Sequence, residues 1–190
     1  MVIGLYGGSF NPPHAGHVLV AERALRALNL DRLWWMVTPG NPLKENSALP
    51  PLAARMAACR GLVRDPRIVV TGFEAAIGAR YSVETAEFLV RRCPGVRFVW
   101  VMGADSLASF HRWKAWRRIA ALMPLAVVDR PGATLKATAG LAAQALWPAR
   151  LDEQVALRLA LRHPPAWVFL YGRRLRLSST DLRGKPQTSR

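Results

Sequence analysis

The chain has 190 residues, of which 51% are hydrophobic, so it can bury a core of one-domain size. This composition excludes disorder over most of the length, and no apolar stretch approaches the roughly 18 residues of a membrane-spanning helix. A formal net charge of +15 favours an anionic partner, although a general bias toward arginine and alanine explains the excess equally well. Cys59 and Cys93 form no CxxC pair, and the start lacks the basic region of a secretory signal, so we expect a reduced, cytoplasmic protein.

Short apolar segments alternate along the chain with segments of helical periodicity. The predicted strands are 2–6, 33–37, 67–71, 96–102, 124–130 and 167–171. The predicted helices are 16–29, 51–64, 83–92, a stretch after 103 and most of 134–165, with 38–50 as a loop. This alternation is typical of an α/β fold, a doubly wound, Rossmann-like parallel sheet with helices on both faces. Such sheets bind ligands at the carboxyl ends of their strands.

The first strand is followed by the segment GGSFNPPHAGH, residues 7–17. We expect Gly7 and Gly8 to turn the backbone tightly beside a ligand. His14 and His17 lie three residues apart across the start of the next helix, so both can point to one side. A helix N-terminus attracts phosphate, and two imidazoles there add hydrogen-bond donors. A single histidine would favour an ordinary surface position, but this pair after a glycine-rich segment favours a phosphate site.

The segment GADSLASFHRWKAW, residues 103–116, follows the strand at 96–102. Gly103 permits close approach of a ligand, and Asp105 either accepts from ribose hydroxyls or caps the helix. Trp113 and Trp116 are three residues apart; we expect one to lie in the core and the other to stack on a flat ring.

Near the end of the chain, LSSTDLR at 177–183 follows the last predicted strand. Its serines and threonine are strong helix caps, and Arg183 lies about one turn into that helix, near enough to share a phosphate. Lys44 in the 38–50 loop and Arg130 at a strand end add further positive charge. Taken alone, the closing motif is better explained by a helix cap with a solvated arginine, and Asp105 by a cap. Lys44 and Arg130 are individually weak evidence.

In combination, these motifs are more specific. GGSFNPPHAGH together with the closing SSTDLR resembles the HxGH nucleotidyltransferase superfamily. The segments PGNPLK, SVETAEFL, GADSLASFHRW and VVDRPG extend the resemblance over nearly the whole chain, toward the bacterial nicotinate-nucleotide adenylyltransferases. The resemblance implies one nucleotidyltransferase domain over 1–183, with 184–190 as a flexible basic tail in place of the further helical tail usual in the family.

The resemblance also implies a reaction and a set of site residues. The 5′-phosphate of nicotinate mononucleotide attacks the α-phosphorus of ATP, giving deamido-NAD and pyrophosphate, with Mg²⁺ carried on the ATP phosphates and no dedicated metal site in the protein. The implied catalytic residues are His14, His17 and Arg183. The implied ATP-binding residues are Gly8, Ser9, Phe10, His17, Gly103, Asp105, Ser179, Thr180 and Arg183. The implied residues for nicotinate mononucleotide are Lys44, Thr85 and Trp113.

Two alternatives remain open at this stage. The acceptor could instead be nicotinamide mononucleotide or another phosphate ester, such as phosphopantetheine. A different class, a basic nucleic-acid-binding module, is favoured by the charge and by seven tryptophans. Against it, the basic residues are dispersed and no helix-turn-helix, RRM or KH motif is present. We therefore expect small-molecule substrates without a nucleic-acid or membrane partner, and the sequence leaves a homo-oligomer open.

Overall fold

The computed structural model describes residues 1–40, 49–130 and 132–172. The strands are β1 (Val2–Gly8), β2 (Arg32–Val37), β3 (Ile68–Thr71), β4 (Arg97–Gly103), β5 (Leu125–Val128), β6 (Arg150–Leu151) and β7 (Trp167–Leu170). The α-helices are α1 (Ala15–Ala27), α2 (Leu52–Leu62), α3 (Phe73–Ala76), α4 (Ser82–Arg92), α5 (Ala104–Phe110), α6 (Trp116–Leu122), α7 (Thr134–Thr138) and α8 (Leu141–Ala145). Two 3₁₀ helices, Trp147–Ala149 and Glu153–Leu161, flank β6.

Within the described ranges the strands form one sheet of seven, in the order β3-β2-β1-β4-β5-β7-β6. All six neighbouring pairs are parallel. The chain starts in the middle at β1, proceeds outward through β2 and β3, and then continues on the other side of β1 with β4. The predicted doubly wound α/β fold is therefore confirmed. The strand order reverses between β1 and β4, which is where such sheets bind ligands.

Alternate residues of each central strand enter opposite halves of the core. Phe98, Trp100 and Met102 of β4 pack on one side with residues of α4, α5 and α6. Val99 and Val101 pack on the other side with residues of α1. Because helices cover both faces of the sheet, the strands consist mainly of apolar residues. This burial accounts for the short apolar runs in the sequence.

The tryptophans of the strands belong to the core. Trp35, Trp100 and Trp167 are fully buried, and Trp34 is partly buried against the core. None of the helices in the described ranges has the length and apolar character needed to cross a bilayer.

The prediction that the region 134–165 is helical is wrong in part. The region contains the strand β6 besides α7, α8 and two 3₁₀ helices, and it is divided because Gly140 begins α8 and Pro148 opens a 3₁₀ turn. The predicted helical stretch after 103 is confirmed and consists of two helices, α5 and α6, separated at Ala115, whose φ is +50°. The short helix α3 was not predicted, since four residues give no periodic signal.

The expected glycine turn after β1 is also wrong. Gly7 and Gly8 belong to the strand itself, paired with Met36 and Val37 of β2. The chain leaves the sheet at Ser9, and Phe10 takes the left-handed conformation with φ +47°. The glycines therefore matter for close packing rather than for turning.

Candidate active site

The carboxyl ends of β1, β4 and β5 meet at one edge of the sheet. β1 pairs with β4, and Gly103 at the end of β4 pairs with Val128 at the end of β5. The loops and helix starts that follow these strands are therefore neighbours. They carry the first two motifs of the sequence analysis and Arg130.

His14 and His17 are joined at the N-terminus of α1, as the spacing predicted. The backbone N–H of His14 donates to Nδ1 of His17 over 3.2 Å, and the N–H of Gly16 donates to Nδ1 of His14 over 3.1 Å. The two rings lie 3.8 Å apart between centroids. Because each Nδ1 accepts a hydrogen bond, each neutral ring carries its proton on Nε2. The pair therefore has two Nε2–H donors fixed in orientation by the backbone.

The environment keeps His17 uncharged. Burial, together with the neighbouring His14 and the positive charge of Arg130, lowers the pKa of His17 to about 2, and burial is the largest of these causes. The influence of Arg130 also places that side chain within electrostatic reach of the histidine pair. His17 is thus a neutral donor near pH 7 in the ligand-free protein.

An aromatic cluster of Phe10, Tyr6 and Trp35 packs against the core side of His17. Phe10, 3% exposed, lies edge-on to His17, with ring centroids 5.0 Å apart, and also contacts Tyr6 and Trp35. A Cβ on Gly8 would lie 3.0 Å from the Phe10 ring, so the glycine admits this packing. Phe10 therefore contributes to the site by holding the His17 ring, and its own ring is enclosed in the core.

Gly103, Asp105 and Arg130 form a second group at the same edge. Arg130 Nη1 lies 3.0 Å from Asp105 Oδ2. A Cβ on Gly103 would lie 2.5 Å from Asp105 Oδ1 and 2.8 Å from Cδ of Arg130, so no larger residue fits without displacing the pair. Asp105 is the second residue of α5 and not its cap; its side chain is about half exposed. The carboxylate is thus held by Arg130 and open to solvent.

The segments that carry Thr85 and Trp113 also contact each other. Lys114 Nζ lies 4.1 Å from the ring centroid of Tyr81, which precedes α4, and 3.7 Å from Glu84 in the first turn of α4. These contacts hold the 111–115 loop against the start of α4, where a pyridine pocket was predicted.

The two tryptophans divide as predicted, with one in the core. Trp116 is 7% exposed, whereas Trp113 is only partly buried, edge-on to Phe110 and Trp100. Trp100 in turn packs near Gly7, since a Cβ there would lie 3.9 Å from its ring. Trp113 therefore contacts Trp100, which in turn lies beside Gly7 near the end of β1.

Several predicted site residues lie outside the described residues. These are Lys44, Ser179, Thr180 and Arg183, together with the tail 184–190. Whether the closing motif reaches the histidine pair stays a prediction. Within the described ranges, no three His, Cys, Asp or Glu side chains are grouped so that they could hold a metal ion.

Comparison with known proteins identifies the family. The model of the cytidylyltransferase-like family matches residues 5–185. The chain belongs to the cytidylyltransferase-like family. A relative in Methylorubrum extorquens strain PA1, named probable nicotinate-nucleotide adenylyltransferase, is 60% identical over 96% of this chain and 99% of its own length. A protein of the same name in Agrobacterium fabrum is 58% identical over 96% of this chain and 98% of its own length.

Solved structures show that the cytidylyltransferase-like fold is shared at low identity. The nicotinic acid mononucleotide adenylyltransferase of Plasmodium falciparum complexed with NaAD superposes with a TM-score of 0.71 at 15% identity. The same enzyme complexed with APC gives 0.69 at 14% identity. Each comparison covers 96% of this chain and 82% of the other.

Sequence reasoning missed Glu74, a buried acid beside the predicted pyridine pocket. It lies in α3 with 5% exposure, and the Thr85 hydroxyl donates to its Oε1 over 3.2 Å. Burial raises the pKa of Glu74 to about 7, and the hydrogen bond from Thr85 opposes this shift. The Thr85 side chain is fully buried, so this hydroxyl faces Glu74 inside the core, and the partly exposed hydroxyl at this helix start belongs to Ser82.

The second missed residue is Arg55 of α2. It is 3% exposed, and its hydrogen-bond acceptors among the described residues are backbone carbonyls, one of them that of Ser9 in the loop after β1. In a chain this rich in arginine, the residue type alone does not distinguish Arg55 from a solvated surface residue. The one available signal was its position on the apolar side of α2, beside Cys59.

Gly103→Ala should displace Asp105 and Arg130, since its Cβ would lie 2.5 Å from Asp105 Oδ1 and 2.8 Å from Arg130 Cδ. With the ATP-binding role that the resemblance implies for Asp105, this displacement should weaken ATP binding about tenfold, which is about 1.4 kcal/mol. The measurement is the dissociation constant of ATP by calorimetry. Gly95→Ala is the matched control, since a Cβ there meets nothing within 4 Å. Equal affinities for the two variants would contradict the packing argument.

Glu74→Gln should become more stable relative to wild type as the pH rises. The folded chain keeps the Glu74 proton above pH 4.5, where the unfolded chain has released it, so the stability from this group falls as the pH rises through about 7. Between pH 5.5 and pH 8 wild type should lose on the order of 2 kcal/mol from this group, and the glutamine variant should not. Urea unfolding at both pH values measures the difference; a constant gap between the two proteins would refute it.

Proposed function

We propose that this chain transfers the adenylyl group of ATP to the 5′-phosphate of nicotinate mononucleotide, giving deamido-NAD and pyrophosphate. The observation that carries the proposal is the histidine pair, in which backbone N–H groups fix both rings with their Nε2–H groups at a helix N-terminus beside the strand-order reversal. Two relatives that are 60% and 58% identical to this chain, over almost their whole length, are named as probable enzymes of this activity.

The chemistry needs positioning rather than a protein acid or base. The mononucleotide phosphate is already ionised, so one of its oxygens forms a bond to the α-phosphorus of ATP without losing a proton. The bond from the α-phosphorus to the bridging oxygen breaks, and its electron pair leaves on pyrophosphate. Two anions must approach each other, so catalysis depends on alignment and on donors that stabilise the developing charge.

The neutral state of the histidines suits this task. Neutral N–H donors stabilise phosphate oxygens without forming a tight ion pair that would have to break on product release. His14 and His17 would contact the ATP phosphates, with the N-terminus of α1 adding its partial positive charge. Ser9 lies in the loop that leads to them, and Ser179, Thr180 and Arg183 are the further triphosphate ligands that the family resemblance implies.

The remaining residues divide between the two substrates. Asp105 has a free, solvent-facing side that would accept from the ribose hydroxyls of ATP, and Gly103 leaves room for the adenosine. Trp113, partly buried on the core, would stack on the pyridine ring of the mononucleotide. The start of α4 around Thr85 would face the ring substituent, and Lys44 would bind the mononucleotide phosphate.

ATP would enter as its Mg²⁺ complex. In this proposal the metal is bound by phosphate oxygens and water, as is usual for Mg²⁺ on a nucleotide, and belongs to the substrate. It would neutralise part of the triphosphate charge, and the chain's own donors would orient it.

The acceptor is tested by parallel assays of pyrophosphate release with nicotinate and nicotinamide mononucleotides. We expect the acid to be preferred, since backbone N–H groups near the start of α4 and Trp113 can pair with a ring carboxylate. Equal or better kcat/KM with the amide would refute the acceptor assignment while leaving adenylyl transfer intact. Release with neither acceptor would refute the function.

His17→Ala should lower kcat by about 10²–10³-fold, the usual effect of deleting one preorganised donor to developing negative charge. His17→Gln, which places an N–H donor near the Nε2 position, should recover part of the rate. Both variants are checked for folding by thermal unfolding. A folded alanine variant with near-normal kcat would show that His17 has no phosphate role.

A further inference from the structure

Arg55 binds three separate segments of backbone with one side chain. Its Nη1 donates to the carbonyls of Ser9 and Thr38, both over 2.8 Å. Its Nη2 donates to Pro39 over 3.2 Å, and its Nε donates to Pro50 over 2.9 Å. Four of the five N–H donors of a guanidinium are therefore used on carbonyls, so Arg55 is not arranged as a phosphate ligand.

These bonds begin where the sheet pairing of β1 and β2 ends. The last ladder pair is Gly8 with Val37, and the Thr38 N–H still donates to the Gly8 carbonyl over 2.9 Å. One residue beyond this pair, the segments that follow β1 and β2 no longer hydrogen-bond to each other directly. The guanidinium of Arg55 bridges the carbonyls of Ser9 and Thr38 instead. Arg55 thus extends the pairing of the two strands into their loops.

The bridged loops belong to different halves of the proposed site. Ser9 precedes the histidine pair, which is proposed to bind the ATP phosphates. In sequence, Thr38 and Pro39 on one side and Pro50 on the other flank the segment that contains Lys44, proposed for the mononucleotide phosphate. The separation of these backbone segments is therefore set by a single planar group.

Among the described residues, the hydrogen-bond partners of Arg55 are backbone carbonyls and include no carboxylate. Burial lowers the pKa of Arg55 from its ordinary value, and the neighbouring Cys59 acts in the opposite direction. Burial raises the pKa of the Cys59 thiol to about 11, so this neighbour is uncharged near pH 7. The buried positive charge of Arg55 adds positive potential to the adjacent loops, where its effect is less screened than in water.

We propose that Arg55 is a positioning residue of the reaction, which fixes the loop after β1 relative to the loop after β2 and so aligns the two phosphate substrates for in-line attack. This rests on the proposed function. Each substrate is bound by its own ligands, so loss of Arg55 changes the alignment of the bound pair more than the binding of either substrate. A misplacement of about 1 Å can cost about 100-fold in rate.

Arg55→Lys is the central variant, because lysine keeps the charge but its single ammonium cannot span carbonyls of three segments. Arg60→Met on the same helix is the control, since Arg60 is exposed. For each protein, thermal unfolding, kcat, and the dissociation constants of ATP and of the mononucleotide measured separately are compared. We expect Arg55→Lys to fold, to lose about 100-fold in kcat, and to change either dissociation constant by less than about tenfold. Arg60→Met should match wild type.

A folded Arg55→Lys whose kcat falls less than tenfold, or whose dissociation constants rise as much as kcat falls, would overturn the proposal. If Arg55→Lys does not fold, Arg55→Ala is assayed with ethylguanidinium and with ethylammonium. Rescue of turnover by ethylguanidinium alone supports the proposal, and rescue by neither or by both equally overturns it. Wild-type turnover tests the proposed function separately; if wild type prefers the amide acceptor, the same comparison is made with that acceptor.

Discussion

The reciprocal hydrogen bonding at the start of α1 is the constraint on which the rest of the site depends. Backbone amides occupy Nδ1 of both imidazoles, so the protons must lie on Nε2, and burial keeps His17 neutral. Two neighbouring residues maintain this arrangement. Phe10 packs against the His17 ring from the core, and Arg55 holds the carbonyl of Ser9 in the loop that leads to the histidine pair. The sheet then brings the ends of β4 and β5 to the same edge, with Gly103, Asp105 and Arg130.

The proposed site has to attract two anions without trapping the product, and under this proposal the described residues divide the work between kinds of donor. The two histidines are oriented by the backbone, and burial keeps His17 neutral. Arg130 is partly engaged by Asp105, and the charge of Arg55 is enclosed behind the backbone. In this proposal, much of the positive potential would come from groups that form no direct ion pair with a phosphate.

The sequence was sufficient for the fold and for the histidine pair because both rest on local signals. Apolar runs of four to seven residues marked the long strands, and the HxGH spacing placed two imidazoles on one helix turn. Glu74 and Arg55 could not be found in this way: their partners lie 11 to 46 residues distant, at Thr85, Thr38 and Ser9. The breaks within 134–165 were missed because an Ala- and Leu-rich composition favours helix, while a glycine, a proline and the packing against β7 decide the outcome. The glycines after Tyr6 were assigned to a turn because their residue type suggests one, although pairing with β2 keeps them extended.

The short edge strand β6 affects how readily copies of this protein aggregate at high concentration. It pairs with β7 through only two residues, Arg150 and Leu151, and is bounded on both sides by 3₁₀ turns. In the part of the chain that the structure describes, this edge offers an incoming strand only two residues to pair with, and one of them is the cationic Arg150. A short edge that carries a positive charge disfavours the strand-by-strand growth that longer, flatter edges permit, so this border of the described sheet is a poor template for fibrils.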